Sequence, residues 1–302
     1  MAQLVTLPEV ERLSASVIRI LGGNPGKVAP TNPTQPLQLL IGTNTYLIGR
    51  GEQRILIDTG EGKPTWGKCL ESVLSEEKAT VYQALLTHWH GDHVKGVSDL
   101  LRICPQAQVF KSQIQPDEHE GQGQRDILDG QVFKVDGVTL VASHTPGHTV
   151  DHMAFVFEEE DAIFTGDNVL GQGTAVFEDL PIYLSSLHRM RDRVTGRGYP
   201  GHGAVIEKAS ARISEYIQHR QQREEEVLRV LRDGRLDGEA SPERKGWTPL
   251  ELVKKIYRDV PESLHLPASH GVLQVLMKLE GEGQTVHEEG GSWRLSGEKS
   301  AL

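Results

Sequence analysis

The chain has 302 residues, a formal net charge of -10 at pH 7 and a pI near 5.7, so its composition gives no general attraction to the phosphate backbone of nucleic acids. Its two cysteines, Cys69 and Cys104, exclude a disulfide framework and a thiolate-rich metal site, and they suit a reducing compartment. No apolar run is long enough to cross a bilayer, and residues 1–12 lack the apolar core of a signal peptide, so we expect an intracellular protein with no membrane contact.

The first part of the chain alternates short apolar runs with turns marked by Gly and Pro, a pattern that predicts strands leading into helices. Predicted strands cover residues 17–21, 44–48, 54–58, 84–87, 108–111, 139–144, 153–157, 162–165 and 197–200. Helical spacing predicts helices over 65–75, 97–103 and 180–193, which would cover the outer faces of the sheets. Four prolines in the segment 22–40 are expected to break any regular element there. The pattern indicates an α/β sandwich with sheets inside and helices outside.

The composition changes sharply after residue 205, where a long charged helix is predicted to run to residue 232. After a polar linker over 234–246, Thr248 to Glu251 supply an N-cap, a first-turn proline and a capping box. The remaining predicted elements are a helix from Thr248 to residue 259, a helix over 270–281, and strands over 284–287 and 293–295. Helices closed by a hairpin resemble a winged helix, and its local acidity favours packing or dimerisation over nucleic-acid binding. We therefore expect two domains, 1–205 and 206–302.

One short segment concentrates side chains that bind metals. His88 and His90 stand two residues apart at the end of a predicted strand, so their imidazoles point to the same side and suit one metal ion. Gly91 then lets the backbone turn, and Asp92 and His93 can reach a second position. A zinc ion that keeps a position open for water needs about three protein ligands, so each ion should recruit more from distant loops.

Three further residues, each at a predicted strand end, are suitable. His148 could complete the first ion, His202 could complete the second, and the Asp167 carboxylate could bridge both. Asp58 is expected to orient a ligand histidine by accepting its free ring N–H. His144 and His152 are either supports for His148 or simply packed side chains. The other histidines are interpreted as ordinary solvated or packed residues: His119, His188, His219, His265, His270 and His287.

With these residues assigned, the sequence resembles the metallo-β-lactamase superfamily. The matching positions run from Ile57-Asp58-Thr59-Gly60 through the His-x-His-x-Asp-His segment at 88–93 to His202. The resemblance implies an αβ/βα sandwich with a dinuclear zinc site at the sheet edges. Aspartate at position 167, where true zinc β-lactamases typically carry a cysteine, points away from antibiotic hydrolysis.

At finer grain, the segments 42–47, 145–153 and 173–180 look like the β-lactamase-like protein 2 group. That group includes an endoribonuclease acting on single-stranded RNA and fungal thioesterases that release polyketides from acyl carrier proteins. Segments 166–171 and 259–265 look like the fungal thioesterases. The proline-rich insertion at 29–40 departs from the group, which usually has a shorter turn there.

The resemblance implies that two zinc ions activate water, so no nucleophilic side chain is required. Asp92 and Asp167 are both candidates for passing a proton to the leaving group. Sequence does not fix the native metal, because Mn and Fe share these ligands with Zn.

Three functions follow from these observations. The first is hydrolysis of a polyketide thioester on the acyl carrier protein of a non-reducing polyketide synthase, with an apolar cleft for the acyl chain. The second is a single-stranded endoribonuclease, for which a basic cluster could supply a groove, although a solvated helix face is the favoured explanation of that cluster. The cluster comprises Arg189, Arg191, Arg193 and Arg197. The third is a zinc-binding scaffold, which the open ligand set disfavours because structural zinc sites are usually closed.

Overall fold

A computed structural model describes residues 7–27, 39–113, 123–233, 246–258 and 261–297. The strands are β1 (Val10–Arg12), β2 (Val17–Leu21), β3 (Pro25–Lys27), β4 (Leu39–Ile41), β5 (Asn44–Ile48), β6 (Gln53–Ile57), β7 (Thr80–Leu85), β8 (Gln108–Phe110), β9 (Val132–Val135), β10 (Val138–His144), β11 (Met153–Phe157), β12 (Ala162–Gly166), β13 (Gly198–Pro200), β14 (Thr285–Glu288) and β15 (Ser292–Leu295). The helices are α1 (Pro64–Glu77), α2 (Gly91–Val94), α3 (Val97–Ile103), α4 (Leu180–Arg191), α5 (Ala209–Asp233), α6 (Pro249–Ile256) and α7 (His265–Gly281), with short 3₁₀ turns at Glu158–Glu160 and Glu262–Leu264. His119, the linker residues 234–245 and residues 259–260 lie outside the described ranges.

Two sheets form the larger part of the molecule. The first has the order β1-β2-β5-β6-β7-β8, in which β6, β7 and β8 run parallel. The second has the order β13-β12-β11-β10-β9, and its only parallel pair is β12 with β13. The carboxyl ends of neighbouring parallel strands meet at one edge of a sheet. This arrangement therefore brings together the loops that follow β6 and β7. It likewise brings together the loops that follow β12 and β13.

The strand β5 shows how one sheet serves two hydrophobic layers. Successive side chains of a strand point to opposite faces. Tyr46 therefore packs towards the second sheet in a cluster with Phe155 and Phe164, while Leu47 packs on the other face with Trp66 of α1. The sandwich of two sheets with helices outside, predicted from the periodicity, is confirmed.

The proline-rich segment and the start of the long helix differ from the prediction. Within 22–40 we expected no regular element, but β3 pairs antiparallel with β4. Pro25 is tolerated because it is the first residue of its strand, where a missing N–H disturbs the ladder least. The long helix begins at Ala209 instead of residue 205, because Ile206 exchanges two backbone hydrogen bonds with Gly198 at the sheet edge.

Other elements also differ from the prediction, and β1 and α2 were not predicted. The last helix begins at His265, five residues before the predicted start at residue 270. Its Pro267 falls in the first turn, where backbone N–H groups have no helical acceptor and proline costs little. The strand β9 was not predicted, and it pairs with β10 as an edge strand.

The chain divides into two compact units. Among the described residues, the first comprises 7–27, 39–113, 123–178 and 182–214, and the second comprises 179–181, 215–233, 246–258 and 261–297. The division falls within α5, whereas the sequence placed a boundary after residue 205, and the domain limits stay a prediction.

Within the described ranges, no helix combines the length and apolar character needed to span a bilayer.

The second unit contains most of α5 together with α6, α7 and the β14-β15 hairpin. The predicted capping box of α6 is present: the Glu251 backbone N–H donates to Thr248 Oγ1, and the Glu251 carboxylate accepts from the Thr248 backbone N–H. Trp247 and Trp293 pair through two backbone hydrogen bonds, which join the segment before α6 to β15. Helices followed by a hairpin are the arrangement that the sequence predicted for this region.

Candidate metal centre

The predicted ligands all follow strands of the two sheets. The parallel strands β6 and β7 bring Asp58 and the segment from His88 to one edge, and β12 and β13 bring Asp167 and His202 to another. Hydrogen bonds then join the two edges. The Asn44 backbone N–H donates to Gly201 O at 2.7 Å, and the Met153 N–H donates to Thr87 O at 2.7 Å.

The predicted ligand atoms converge in two groups. One contains His88, His90, His148 and Asp167, and the other contains Asp92, His93 and His202; within each, the ligand atoms lie within 4.8 Å of one another. Asp167 also contacts the second group, with Oδ1 3.5 Å from His93 Nε2 and Oδ2 3.3 Å from His202 Nε2. This is the division between two ions that the sequence predicted, and metal binding by these residues stays a prediction.

The hydrogen bonds of the first group suit a cation. Thr87 Oγ1 lies 2.9 Å from His88 Nδ1, and Val176 O lies 2.8 Å from His148 Nδ1. When each Nδ1–H donates to that oxygen, both Nε2 atoms carry lone pairs. They lie 2.9 Å (His88) and 3.0 Å (His148) from His90 Nδ1. Convergent nitrogen lone pairs of this kind fit a positive ion bound between them.

The second group has the same property. Asp58 Oδ2 lies 2.7 Å from His93 Nδ1 and accepts its N–H, so the contact expected of Asp58 is present. Gly42 O lies 3.2 Å from His202 Nδ1. Two buried polar atoms that face each other, His93 Nε2 and Asp167 Oδ1, have no hydrogen-bond partner. Unsatisfied buried ligand atoms of this kind fit a metal ion, which would satisfy both.

The electrostatic environment differs between the groups. Burial, together with His148, lowers the pKa of His90 to about 4, and burial lowers the pKa of His88 well below its usual value. Burial opposes protonation of His202 as well, but the Asp167 charge and the hydrogen bonds to Asp167 and Asp92 together outweigh burial and raise the pKa of His202 to about 10. His88 and His90 therefore offer neutral imidazoles, the form that binds metals, whereas Asp92 and Asp167 favour positive charge on His202.

Two glycines leave room for this arrangement. A Cβ at Gly201 would lie 2.2 Å from Asp167 Oδ1, and a Cβ at Gly166 would lie 2.5 Å from His152 Nε2. Gly166 also has φ 48°, a conformation that favours glycine. Side chains at either position would displace the groups that converge here.

A short polar chain reaches Asp92 from the other side. Thr43 Oγ1 donates to Asp92 Oδ2 at 3.2 Å, and Asn24 Nδ2 donates to Thr43 Oγ1 at 3.1 Å. Asn24 Oδ1 accepts from the Thr43 backbone N–H at 3.0 Å, which fixes both residues. The sequence analysis missed this contact, since a Thr and an Asn in separate segments carry no signal of their proximity.

The family of the chain follows from a comparison with known proteins. The profile described as the Metallo-beta-lactamase superfamily matches residues 40–218, more than half of the chain. The chain belongs to the metallo-β-lactamase superfamily. A second profile, described as the Beta-lactamase associated winged helix domain, matches residues 248–293, so the winged helix predicted at the C-terminus is confirmed. As a member of this superfamily the chain is a hydrolase, and its His/Asp cluster is compatible with metal ions.

Relatives of known sequence cover nearly the whole chain. A protein of Aspergillus chevalieri named "Atrochrysone carboxyl ACP thioesterase" is 44% identical over 99% of this chain and 92% of its own length. "Lactamase-like protein aptB" of Emericella nidulans is 44% identical over 94% of this chain and 87% of its own length. The predicted resemblance to fungal proteins of this superfamily is therefore confirmed.

Solved structures support the fold alone. A beta-lactamase domain protein from Burkholderia ambifaria superposes with a TM-score of 0.73 at 18% identity, over 96% of this chain and 95% of that one. A metallo-beta-lactamase family protein from Thermus thermophilus gives a TM-score of 0.65 at 24% identity, over 88% and 97% of the two chains.

The two histidines left open by the sequence now have contacts. His152 is fully buried; its Nε2 accepts from the Asp167 backbone N–H at 3.1 Å, and its Nδ1 lies 2.9 Å from Thr145 Oγ1. It therefore joins the loop of His148 to Asp167. His144 is partly exposed, and its Nε2 lies 2.9 Å from Val150 O.

We predict that Thr43→Val weakens metal binding by this protein about tenfold, because Asp92 loses the hydroxyl group that orients its carboxylate. The change keeps the shape of the side chain, and the Thr43 backbone bond to Asn24 persists. Metal titration of chelator-treated protein measures the effect. Thr43→Ser keeps the hydroxyl and serves as the control; equal affinity in the Val and Ser variants would show that this hydrogen bond does not orient Asp92.

Proposed function

We propose that the protein is a dinuclear zinc thioesterase that releases a polyketide from the acyl carrier protein of a non-reducing polyketide synthase. The observation that carries the proposal is the convergence of seven ligand atoms in two groups joined by Asp167. The proposed ligands are His88, His90, Asp92, His93, His148, Asp167 and His202. Zn is proposed over Mn because imidazoles outnumber carboxylates in this set, and metal analysis distinguishes Zn from Fe, which imidazoles also bind.

When bound, the two ions would activate water at neutral pH and polarise the carbonyl oxygen of the thioester. The residues of the chain hold and orient this site. Asp58 fixes the tautomer of His93, Thr87 that of His88 and the Val176 carbonyl that of His148, so that each Nε2 faces inward. Burial keeps His88 and His90 neutral, and therefore able to act as ligands.

Proton transfer is assigned to Asp92. Its side chain is 32% exposed, whereas that of Asp167 is 12% exposed, so Asp92 is the more accessible to substrate. Burial alone would raise the pKa of Asp92, but His93 and a hydrogen bond from His202 hold it below its usual value. The ionised carboxylate can take the proton that water loses as its oxygen bonds to the carbonyl carbon. The C–S bond then breaks, and the proton passes to the departing thiolate.

Two observations support a polyketide thioester as the substrate. The relative from Aspergillus chevalieri carries the name of an ACP thioesterase and is similar along nearly the whole chain. Next to the site, the side chains of Val150 and Val176 are 43% and 54% exposed, and the Val176 carbonyl is the one that holds His148. Exposed apolar side chains beside a polar centre suit an apolar acyl chain.

The arginine cluster gives little support to the RNA alternative. Arg191 is paired with Asp192 at 2.9 Å, Arg197 with Glu207 at 3.1 Å, and Arg189 donates to His144 O at 2.7 Å. Two of the four arginines are thus already engaged with carboxylates, and cations paired in this way attract a phosphate backbone weakly. We therefore propose the thioesterase and keep RNA as the competing substrate in its test.

The test offers the purified protein a carrier protein loaded with an aromatic polyketide thioester and, separately, single-stranded RNA, each with and without chelator. We expect free acid and carrier-protein thiol to form, activity to disappear with chelator and to return with Zn²⁺, and the RNA to stay intact. Metal analysis of the active protein identifies the ion. RNA cleavage without thioester turnover would reverse the assignment, and turnover unaffected by chelator would remove the metal from the scheme.

A further inference from the structure

A buried ion pair lies beside the loop that carries His148. Lys111 follows β8 in the first sheet and is 2% exposed, and Asp151 lies in the loop between β10 and β11 of the second sheet and is 0% exposed. Lys111 Nζ lies 3.0 Å from Asp151 Oδ2. The pair therefore links the edge of one sheet to a loop of the other.

Both partners are fixed by further contacts. Lys111 Nζ donates to Ser112 O at 3.1 Å, and the Lys111 backbone N–H donates to Arg125 O at 2.9 Å. Asp151 Oδ1 accepts from Thr149 Oγ1 at 2.7 Å. Thr149 is the neighbour of His148, so the carboxylate holds the loop directly beside that histidine as well as at its own position.

Other side-chain and backbone anchors of the loop come from residues that follow β12: Asn168 Nδ2 donates to Thr145 O, Ser186 Oγ donates to Pro146 O, and the Glu178 N–H donates to Gly147 O. The loop contains no helix or strand between His144 and Met153, and the described backbone bonds within it are Thr145 N–H to His152 O and Gly147 N–H to Thr149 O. Outside the loop, the His148 backbone N–H donates to Asn168 Oδ1 at 3.2 Å. A loop of this kind needs side-chain anchors to fix a ligand, and Asp151 is one that reaches across to the first sheet.

The cost of burying two charges indicates that the Lys111–Asp151 pair positions the loop more than it stabilises the fold. Removing two charges from water is costly, and apolar replacements for a buried ion pair are often as stable or more so. We propose that Lys111 and Asp151 are positioning residues that hold the His148 imidazole against His90 and Asp167. The inference rests on the metal-dependent hydrolase proposed above.

The test uses the full chain after metal removal, with Zn²⁺ or Co²⁺ titrated back. Asp151→Asn keeps the shape of the side chain and removes its charge, Lys111→Met removes the partner charge, and the double variant removes both. We expect each single variant to melt at a lower temperature, because one buried charge is left without its partner. We expect the double variant to regain much of that loss. In all three, one of two ions should bind about 10- to 100-fold more weakly, because the ion pair no longer holds the loop.

Arg54→Met is the matched control. Arg54 is 4% exposed and pairs with Glu77 at 3.2 Å at the start of β6, in the same unit but at the end of that strand opposite Asp58. The Arg54→Met variant should have a lower melting temperature and an unchanged affinity for both ions. This control therefore separates displacement of the His148 loop from a general loss of stability.

The possible results of this experiment test the positioning role and the proposed function separately. Wild-type affinity for both ions in the double variant, or weakened binding in Arg54→Met to the same degree, would overturn the positioning role while leaving the proposed hydrolase intact. A wild-type protein that binds fewer than two ions would overturn the proposed function, and this inference with it.

Discussion

Asp167→Ala is expected to lower thioester turnover by roughly a thousandfold or more, because several kcal/mol of transition-state stabilisation would be lost with the metal pair. The Asp167 carboxylate contacts candidate ligands of both groups, His93 and His202 in one and His148 in the other. His90→Ala should have a similar effect, since its Nδ1 lies 2.9 Å from His88 Nε2 and 3.0 Å from His148 Nε2. Turnover of the purified variants with saturating Zn²⁺ measures the loss.

The Asp167→Ala protein should remain folded. Asp167 Oδ1 has no hydrogen-bond partner, and the backbone N–H of Asp167 keeps its bond to His152. Removing the carboxylate therefore breaks no hydrogen bond made by Oδ1. Asp192→Ala is the control, because Asp192 is an exposed aspartate of the same unit. Full turnover in both Asp167→Ala and His90→Ala would reject the two-metal scheme.

The sequence predicted the parts of the fold that depend on local pattern. The bounds of β2, β5 and β11 match the prediction, because each strand is a continuous run of buried residues between turns. The strand β9 was missed because only one of its four residues is buried, which leaves a weak signal. The helix α5 began later than predicted because pairing of Ile206 with Gly198 is a tertiary contact that helical periodicity does not record.

In the candidate site, too, local sequence pattern predicted some residues and missed the contacts that depend on the tertiary structure. His88, His90, Asp92 and His93 are close in sequence, so spacing alone indicated their chemistry. His148, Asp167 and His202 were predicted from their places at strand ends, and the structure brings their ligand atoms to that segment. The contacts of Thr43 with Asp92 and of Lys111 with Asp151 join residues 49 and 40 positions apart, and neither pair has a motif. Such supporting contacts depend on how the two sheets meet, which no local pattern describes.

The second large effect is expected at Asp58, a fully buried carboxylate with φ 57°. Its Oδ1 accepts from the Thr87 backbone N–H at 2.8 Å, and its Oδ2 accepts from His93 Nδ1–H at 2.7 Å. Asp58→Ala leaves both donors buried without an acceptor, at a cost of about 1–3 kcal/mol each. The variant should therefore lose about 2–6 kcal/mol of unfolding free energy, measured by urea denaturation of the metal-free protein.

Asp58→Asn separates the fold from the metal centre. Asparagine tolerates the left-handed backbone, and its Oδ1 can still accept from Thr87, so stability should fall less than in Asp58→Ala. Its amide NH₂ would face His93 Nδ1, however, and two donors cannot pair. The imidazole should then move its proton to Nε2, which removes the lone pair that faces Asp92 and Asp167. We expect metal affinity to fall about 10- to 100-fold, with turnover reduced accordingly. Unchanged affinity in Asp58→Asn would mean that the carboxylate does not set the tautomer of His93, and that Asp58 serves the fold alone.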